Sequence, residues 1–312
     1  MALTGSTRTL TAVTGPSRRG RSANRSLERS NISDSDLSRA STRFTFRVVV
    51  GVVVALLVVV SAGPLLWLAK AAVSTTQDIL RDPFGLWPSG IQWQNLTDAW
   101  NQIQIGRFTA NSLIITSGEV IVAVFSAVTL GYVLAVLRPR YGAVLNAAIM
   151  ATLFIPGVIS LIPLYLTVID LGLLDTYAAL WLTNGVSAFN VLIMKQYFQT
   201  IPRELFEAAT VDGAGPLRIL WSIVLPMARP IIGVVALLAF VASWKDFLWP
   251  LLALPSPDKQ PLSVGLATVA PQADLAVLMA GMFIAVLIPI AVFAIFQKQF
   301  LTGAGSAGAL KG

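Results

Sequence analysis

Three charged side chains set in otherwise apolar sequence are the first candidates for chemistry: Glu119, Lys245 and Asp246. An ionisable group inside a bilayer is costly, and it ordinarily faces a polar cavity or a water-filled path. Lys245 and Asp246 are neighbours in "SWKDFLWPL", and neighbours on a helix point roughly 100° apart, so they do not satisfy each other. In one arrangement they face a polar cavity, and Trp244 and Trp249 beside them supply flat rings that suit a sugar. In the other, the span ends near Trp244 and Lys245 snorkels to the interface. Glu119 is expected at the outer edge of the bilayer, because Val120 to Leu137 can nearly cross it alone. Neither cysteine nor histidine occurs anywhere in the chain. That removes thiol nucleophiles, Ser-His-Asp triads and most zinc chemistry. No G-x-x-x-x-G-K-[ST] phosphate loop is present, so any ATP must be hydrolysed elsewhere. No catalytic residue, bound cofactor or metal is expected.

A second kind of chemistry, protein recognition, is suggested by "TIPRELFEAATVDGAGPLRILWSIVLPMARP". Pro202 suits a first helical turn, and Glu204 sits where the helix dipole favours negative charge. Leu205, Ala208, Ala209 and Asp212 share a face by spacing. Gly213 and Gly215 then interrupt the helix. Pro216 opens the next one, whose apolar stripe is Leu217, Leu220, Trp221, Val224 and Leu225 before Pro226 closes it. Such a segment either lies on the membrane as an amphipathic connector or projects as a rigid knob into another protein. For the second role, small residues permit close approach and Glu207 offers a charge to pair.

The elements that must position these groups follow from composition. Of 312 residues 55% are hydrophobic and 12% charged, about half the charge of ordinary soluble domains. A bilayer crossing takes about 20 apolar residues, and six segments qualify: 48–69, 112–137, 143–168, 177–194, 230–254 and 275–296. Prolines 156, 163, 250 and 289 would kink or end spans. Seventeen of the 22 Lys and Arg residues fall on the side that carries both termini, four on the other, and Lys245 within a span. The excess of positive charge makes that side cytoplasmic. Residues 1–46, rich in Ser and Arg, are expected to form a disordered basic tail. The first apolar run is too long and too late for a cleaved signal peptide. On the opposite side, the loop from Lys70 to Arg107 carries Trp87, Trp93 and Trp100, placed either at the membrane interface or as a docking surface.

Glu207-Ala208-Ala209, Gly213, Ile223 and Leu225-Pro226, at fixed gaps over twenty residues, resemble the cytoplasmic EAA loop of the membrane-spanning subunits of bacterial ABC importers. Further likeness runs from "NSL" at 111–113 through "IPLYL", "LGLLDTYAAL", "SWKDFLWPL" and "QPLSVGL" to "GALKG" at 308–312. Together these are similar to the carbohydrate permeases of the maltose type, the shorter six-span partner of the pair.

The resemblance implies an all-α integral membrane protein of the type I ABC importer permease fold, with six transmembrane helices and a cytoplasmic helix-turn-helix. The divisions are the tail 1–46, a first span and outer loop 47–108, a permease core 109–300 holding the coupling loop 200–228, and a tail 301–312. Implied partners are a second permease, two ATPase subunits that hydrolyse ATP with Mg, an extracytoplasmic binding protein and a sugar, all in the bacterial inner membrane and without nucleic acid. Carried over, Glu207, Ala208, Ala209, Asp212 and Gly213 would make the ATPase contact, and Leu225 and Pro226 would fix the second helix. Gly308, Ala309, Leu310, Lys311 and Gly312 would reach the ATPase interface, where composition alone describes a flexible linker. The family commonly has Asn where Lys245 stands, and in the maltose type this subunit makes little direct sugar contact. The competing class is an ion-driven secondary transporter, which would work through membrane-embedded carboxylates such as Glu119 and Asp246.

Overall fold

A break in a membrane helix releases backbone N–H and C=O groups that lipid cannot satisfy, so spans are continuous unless something else partners the freed groups. The computed structural model describes residues 40–309, with side chains from 44 to 295 and at 297. It contains both kinds of span. Among the described residues four helices are long and apolar enough to cross a membrane, and two bent pairs raise the count to as many as six. Leu310, Lys311, Gly312 and the first 39 residues of the basic tail lie outside the described residues.

Contacts divide the chain at Gly63. Among the described residues the first unit is the N-terminal part of α1 (Ala40–Ala72), exposed from Phe44 through Val60. Residues 40–46, expected to be disordered, are helical here. Once the run beginning at Val48 has met the cost of helix nucleation, each added residue gains a hydrogen bond.

In the second unit, α2 (Thr76–Arg81) and α3 (Gln94–Gln102) belong to the loop after α1. The loop folds back on that helix: Trp67 Nε1 donates to the Pro83 carbonyl at 2.6 Å, and Lys70 Nζ to that of Asp82 at 3.1 Å. The central element is α4 (Ile105–Tyr132), which passes into a turn of π-helix at Val133–Leu137. It packs against the helices at 177–184, 188–198, 225–245 and 262–269. Gly118 makes one of these approaches possible, since a Cβ there would sit 2.2 Å from Trp181 Nε1. The span starts at Ile105 and not near 112, so Glu119 is the fifteenth of its 33 residues. Glu119 is therefore not at a membrane edge; it is buried in the interior of the span.

The segment expected as one straight third span is α5 (Gly142–Thr152) and α6 (Gly157–Asp170), bent by 105°. Pro156 breaks it by lacking an N–H and by disfavouring helical geometry at Ile155. The fourth is α7 (Tyr177–Asn184) and α8 (Ala188–Phe198), bent by 48°. After α9 (Arg203–Val211), the fifth span begins at Pro216, in α10 (Pro216–Ile219), continues through a π-turn at Leu220–Val224, and ends with α11 (Leu225–Lys245). It is thus 216–245 rather than 230–254, and Lys245 is its last residue. Pro226 does not close the elbow's second helix; it rides in the first turn of α11, where the adjacent π-turn absorbs its missing donor. The chain finishes with α12 (Leu248–Ala253), α13 (Leu262–Val269) and α14 (Leu275–Ala309). The tail expected from 301 is helical as far as Ala309.

Polar pins join the loops at the end of the fold opposite the elbow. Asn111 Nδ2 donates to the carbonyls of Asp258 and Gln260 at 2.8 and 2.9 Å, and its Oδ1 accepts from Tyr177 Oη at 2.9 Å. Asp175, at φ 60°, accepts from Lys259 Nζ at 2.8 Å and from the Ser256 amide and hydroxyl at 3.2 and 2.8 Å. The Lys259 ammonium and the Ser256 donors, opposed by partial desolvation, hold the Asp175 carboxyl below its usual value. The lowered value means the clamp is stabilising above the unfolded carboxyl value near 3.9 and is lost as pH falls through the folded one. Asp175→Asn keeps the tolerance for left-handed backbone and loses the charge. The variant should melt at lower temperature than the parent at pH 7 by an amount matching about 0.5–1 kcal/mol. The difference should begin to shrink below about pH 4 and vanish only once pH lies below the folded carboxyl value, as thermal unfolding in detergent across that range would record.

Candidate coupling elbow and polar cavity

The elbow is made stiff by its own backbone. α9 ends at Val211 with Asp212 as its cap, and Gly213 follows at φ 75°, in the left-handed region that L side chains resist. Gly213 N–H then donates to the Thr210 carbonyl at 3.0 Å and Ala214 N–H to that of Ala209 at 2.9 Å. These two bonds form a Schellman motif, which satisfies carbonyls the helix end would leave open. Ala209 and Ala214, the apolar pair of that motif, both pack on the cluster that holds Tyr132, Met194, Phe198 and Leu220. Tyr132 Oη reaches across from α4 to donate to the Pro216 carbonyl at 2.8 Å. The elbow is thereby fastened to the central span.

Its outer surface is different in kind. Val211 is 88% exposed and Leu217 72%, and Glu204, Leu205, Glu207, Ala208, Asp212 and Trp221 are also exposed. Of the residues expected to share one face, Leu205, Ala208 and Asp212 point outward while Ala209 turns in. The expected stripe of the second helix divides likewise: Leu220 and Val224 are buried, and Leu217 and Trp221 are not. Leu225 packs on the same cluster and Pro226 is exposed. Glu207 borders a cavity of about 200 Å3 with Arg138 and Arg203, and it forms no ion pair among the described residues.

A larger cavity of about 480 Å3 lies where α7 and α11 both end. Glu119, only 4% exposed, Asn184, Asn190, Lys245 and Asp246 line it. Asn184 Nδ2 donates to Asp246 Oδ2 at 2.8 Å and lies 3.5 Å from Glu119 Oε1. The Asp246 carbonyl is occupied by Ser263 Oγ at 2.6 Å. Lys245 and Asp246 are brought together here, but the flanking tryptophans are not. Trp249 is 3% exposed and donates through Nε1 to Thr183 Oγ1 at 2.8 Å. The helix break at Asp246 redirects it into a core with Ile115 and Leu180. Trp244 stacks on Phe240 at 5.6 Å and packs in another cluster. Neither tryptophan lines the cavity, whose wall carries Phe189 instead. Sequence reasoning missed Tyr132, Asn184 and Asn190; the signal available for the two asparagines was a carboxamide in the middle of an apolar run.

Residues 127–301 match the family profile described as "Binding-protein-dependent transport system inner membrane component". The chain belongs to this family. It is a permease subunit of an ABC importer, a multi-pass membrane protein that works with an ATPase and a solute-binding protein. Among relatives, the permease is 30% identical over 254 residues to the diacetylchitobiose uptake system permease protein NgcG of Streptomyces coelicolor, across 80% of this chain and 83% of that one. It is 29% identical over 272 residues to the sn-glycerol-3-phosphate transport system permease protein UgpE of Agrobacterium fabrum, across 82% and 95%. The fold matches a crystal structure of a bacterial ABC transporter involved in the import of the acidic polysaccharide alginate, with a TM-score of 0.75 at 24% identity, over 84% of this chain and 98% of the other.

A Cβ on Gly213 would meet nothing within 4 Å, so only its left-handed backbone resists substitution. Gly213→Val should loosen the elbow by about 1–2 kcal/mol and Gly213→Asn by much less. Amide exchange of residues 208–215 would register the difference.

Proposed function

We propose that this permease carries a carbohydrate inward, forming half of the pathway with a second permease subunit. The elbow seats in two-fold-related fashion on a pair of ATPase subunits, which bind and hydrolyse ATP with Mg. In this reading the elbow and both termini are cytoplasmic, as the distribution of Lys and Arg favours. The external binding protein delivers its sugar to the opposite face. Named cargoes of relatives include diacetylchitobiose and sn-glycerol 3-phosphate, so carbohydrate in the broad sense is the class supported.

The observation that carries the reading is a rigid, anchored elbow whose apolar and acidic tip has nothing among the described residues to cover it. Val211, Leu217 and Trp221 stand exposed beside Glu207 and Asp212, on a backbone locked by Gly213 and tied to α4 through Tyr132. A partner shifts an equilibrium between two states only through contacts that differ between them. A stiff element gripped by a moving groove supplies such contacts, while a floppy one would dissipate the motion. Glu207, Ala208, Ala209, Asp212 and Gly213 form or shape this contact, and Leu225 and Pro226 set where the fifth span leaves it. Residues 308–312 are assigned to the ATPase interface by the same likeness.

Val211→Asp places a charge on a side chain that contributes nothing to the core. The complex should assemble, yet ATP hydrolysis stimulated by loaded binding protein, and uptake into proteoliposomes, should fall at least about tenfold; a tenfold loss corresponds to about 1.4 kcal/mol of coupling. Full uptake by Gly213→Trp, at normal expression, would remove the coupling role.

A further inference from the structure

The polar cavity is not needed for coupling, and its chemistry is specific. We infer that it is a cargo-contacting site on this subunit itself, taking an uncharged, hydroxyl-rich ring and disfavouring cargo that bears phosphate or carboxylate. This rests on the reading of the chain as half of a solute pathway.

Lipid cannot line such a cavity. Two carboxyl groups, an ammonium group and two carboxamides facing hydrocarbon would be too costly, so the opening must meet water or another polar surface. Asn190 supplies a second, independent sign of a ligand. As a residue it is 5% exposed, it lines the cavity, and its amide makes no hydrogen bond to another described residue and opens on the cavity instead of being sealed in the core. A buried amide left so is unfavourable unless water or solute completes it. Glu119 has the Ser243 hydroxyl beside it and the Asn184 amide at 3.5 Å, the limit of hydrogen-bond length, and its carboxyl also opens on the cavity.

The available groups match hydroxyls better than anions. A carboxyl oxygen of Glu119 accepts from a hydroxyl in either protonation state, and the Asn190 amide both donates and accepts, as does each sugar hydroxyl. The ends of α7 and α11 at the cavity add carbonyl acceptors that have no partner within their own helices. A phosphate at neutral pH brings mainly acceptors. It would meet Glu119 and Asp246 against the one ammonium of Lys245. The volume, about 480 Å3, falls in the range used for small organic ligands.

The chain contains no cysteine, so Val241→Cys, on the cavity wall but outside the polar set, places one thiol in this subunit. In the complete importer in liposomes, the rates of modification by cationic, neutral and anionic thiosulfonates are measured relative to free cysteine. The cationic reagent should lead the anionic one by about tenfold, and Glu119→Gln should narrow that ratio. Maltose should slow the neutral reagent and sn-glycerol 3-phosphate should not, with the protection lost in Asn190→Leu. An anionic preference, or protection by the phosphate or by neither solute, overturns the inference. A thiol that stays unreactive in a complex still hydrolysing ATP also overturns it while sparing the elbow, whereas a native-sequence complex without stimulated hydrolysis counts against coupling instead.

Discussion

Everything in this fold answers to the requirement that a peptide group inside a membrane find its hydrogen bond within protein. The central helix α4 meets it by running unbroken from Ile105 to a final π-turn. The helices around it break, and two of the breaks are partnered by side chains. Ser126 Oγ donates to the Gly185 carbonyl at the bend of the fourth span, and Ser263 Oγ to the carbonyl that Asp246 frees at the end of the fifth. Two of these breaks converge on one cavity. Its polarity follows from that convergence, because interrupted helices and carboxamides such as Asn184 are tolerated at depth only where they serve each other or water.

At the other end of α4 the same helix becomes an anchor. Tyr132 connects it to Pro216, and the cluster beneath the elbow joins α4, α8 and the fifth span into one packed unit. The elbow has an inner face that belongs to this core and an outer face that nothing among the described residues covers. The division runs through the motif itself: Ala209 packs inward while Glu207 and Ala208, its neighbours, remain outside.

The elbow was legible in the sequence because left-handed backbone at a helix end selects glycine, so Gly213 announced both the break and its geometry. The number of spans was legible from apolar runs alone. Their edges were not, since polar residues are admitted to a helix wherever a neighbour covers them, and hydropathy cannot see the neighbour. Glu119 was misplaced at a membrane edge for that reason, as Asn184 and α4's early start at Ile105 are tertiary facts. Trp249 was assigned to the pathway from proximity in sequence to Asp246. The helix breaks between them, and the indole ends in a core.

The two π-turns, Val133–Leu137 and Leu220–Val224, both lie at the root of the elbow, with Leu134, Ala135 and Leu220 buried there. A π-turn holds its backbone with wider, less regular hydrogen-bonded rings than the α-helix on either side of it. Compliance is thus concentrated where the lever is mounted, while the tip keeps its shape. A force applied at Val211 would tilt the whole elbow as a crank about its bearing and would not crumple it.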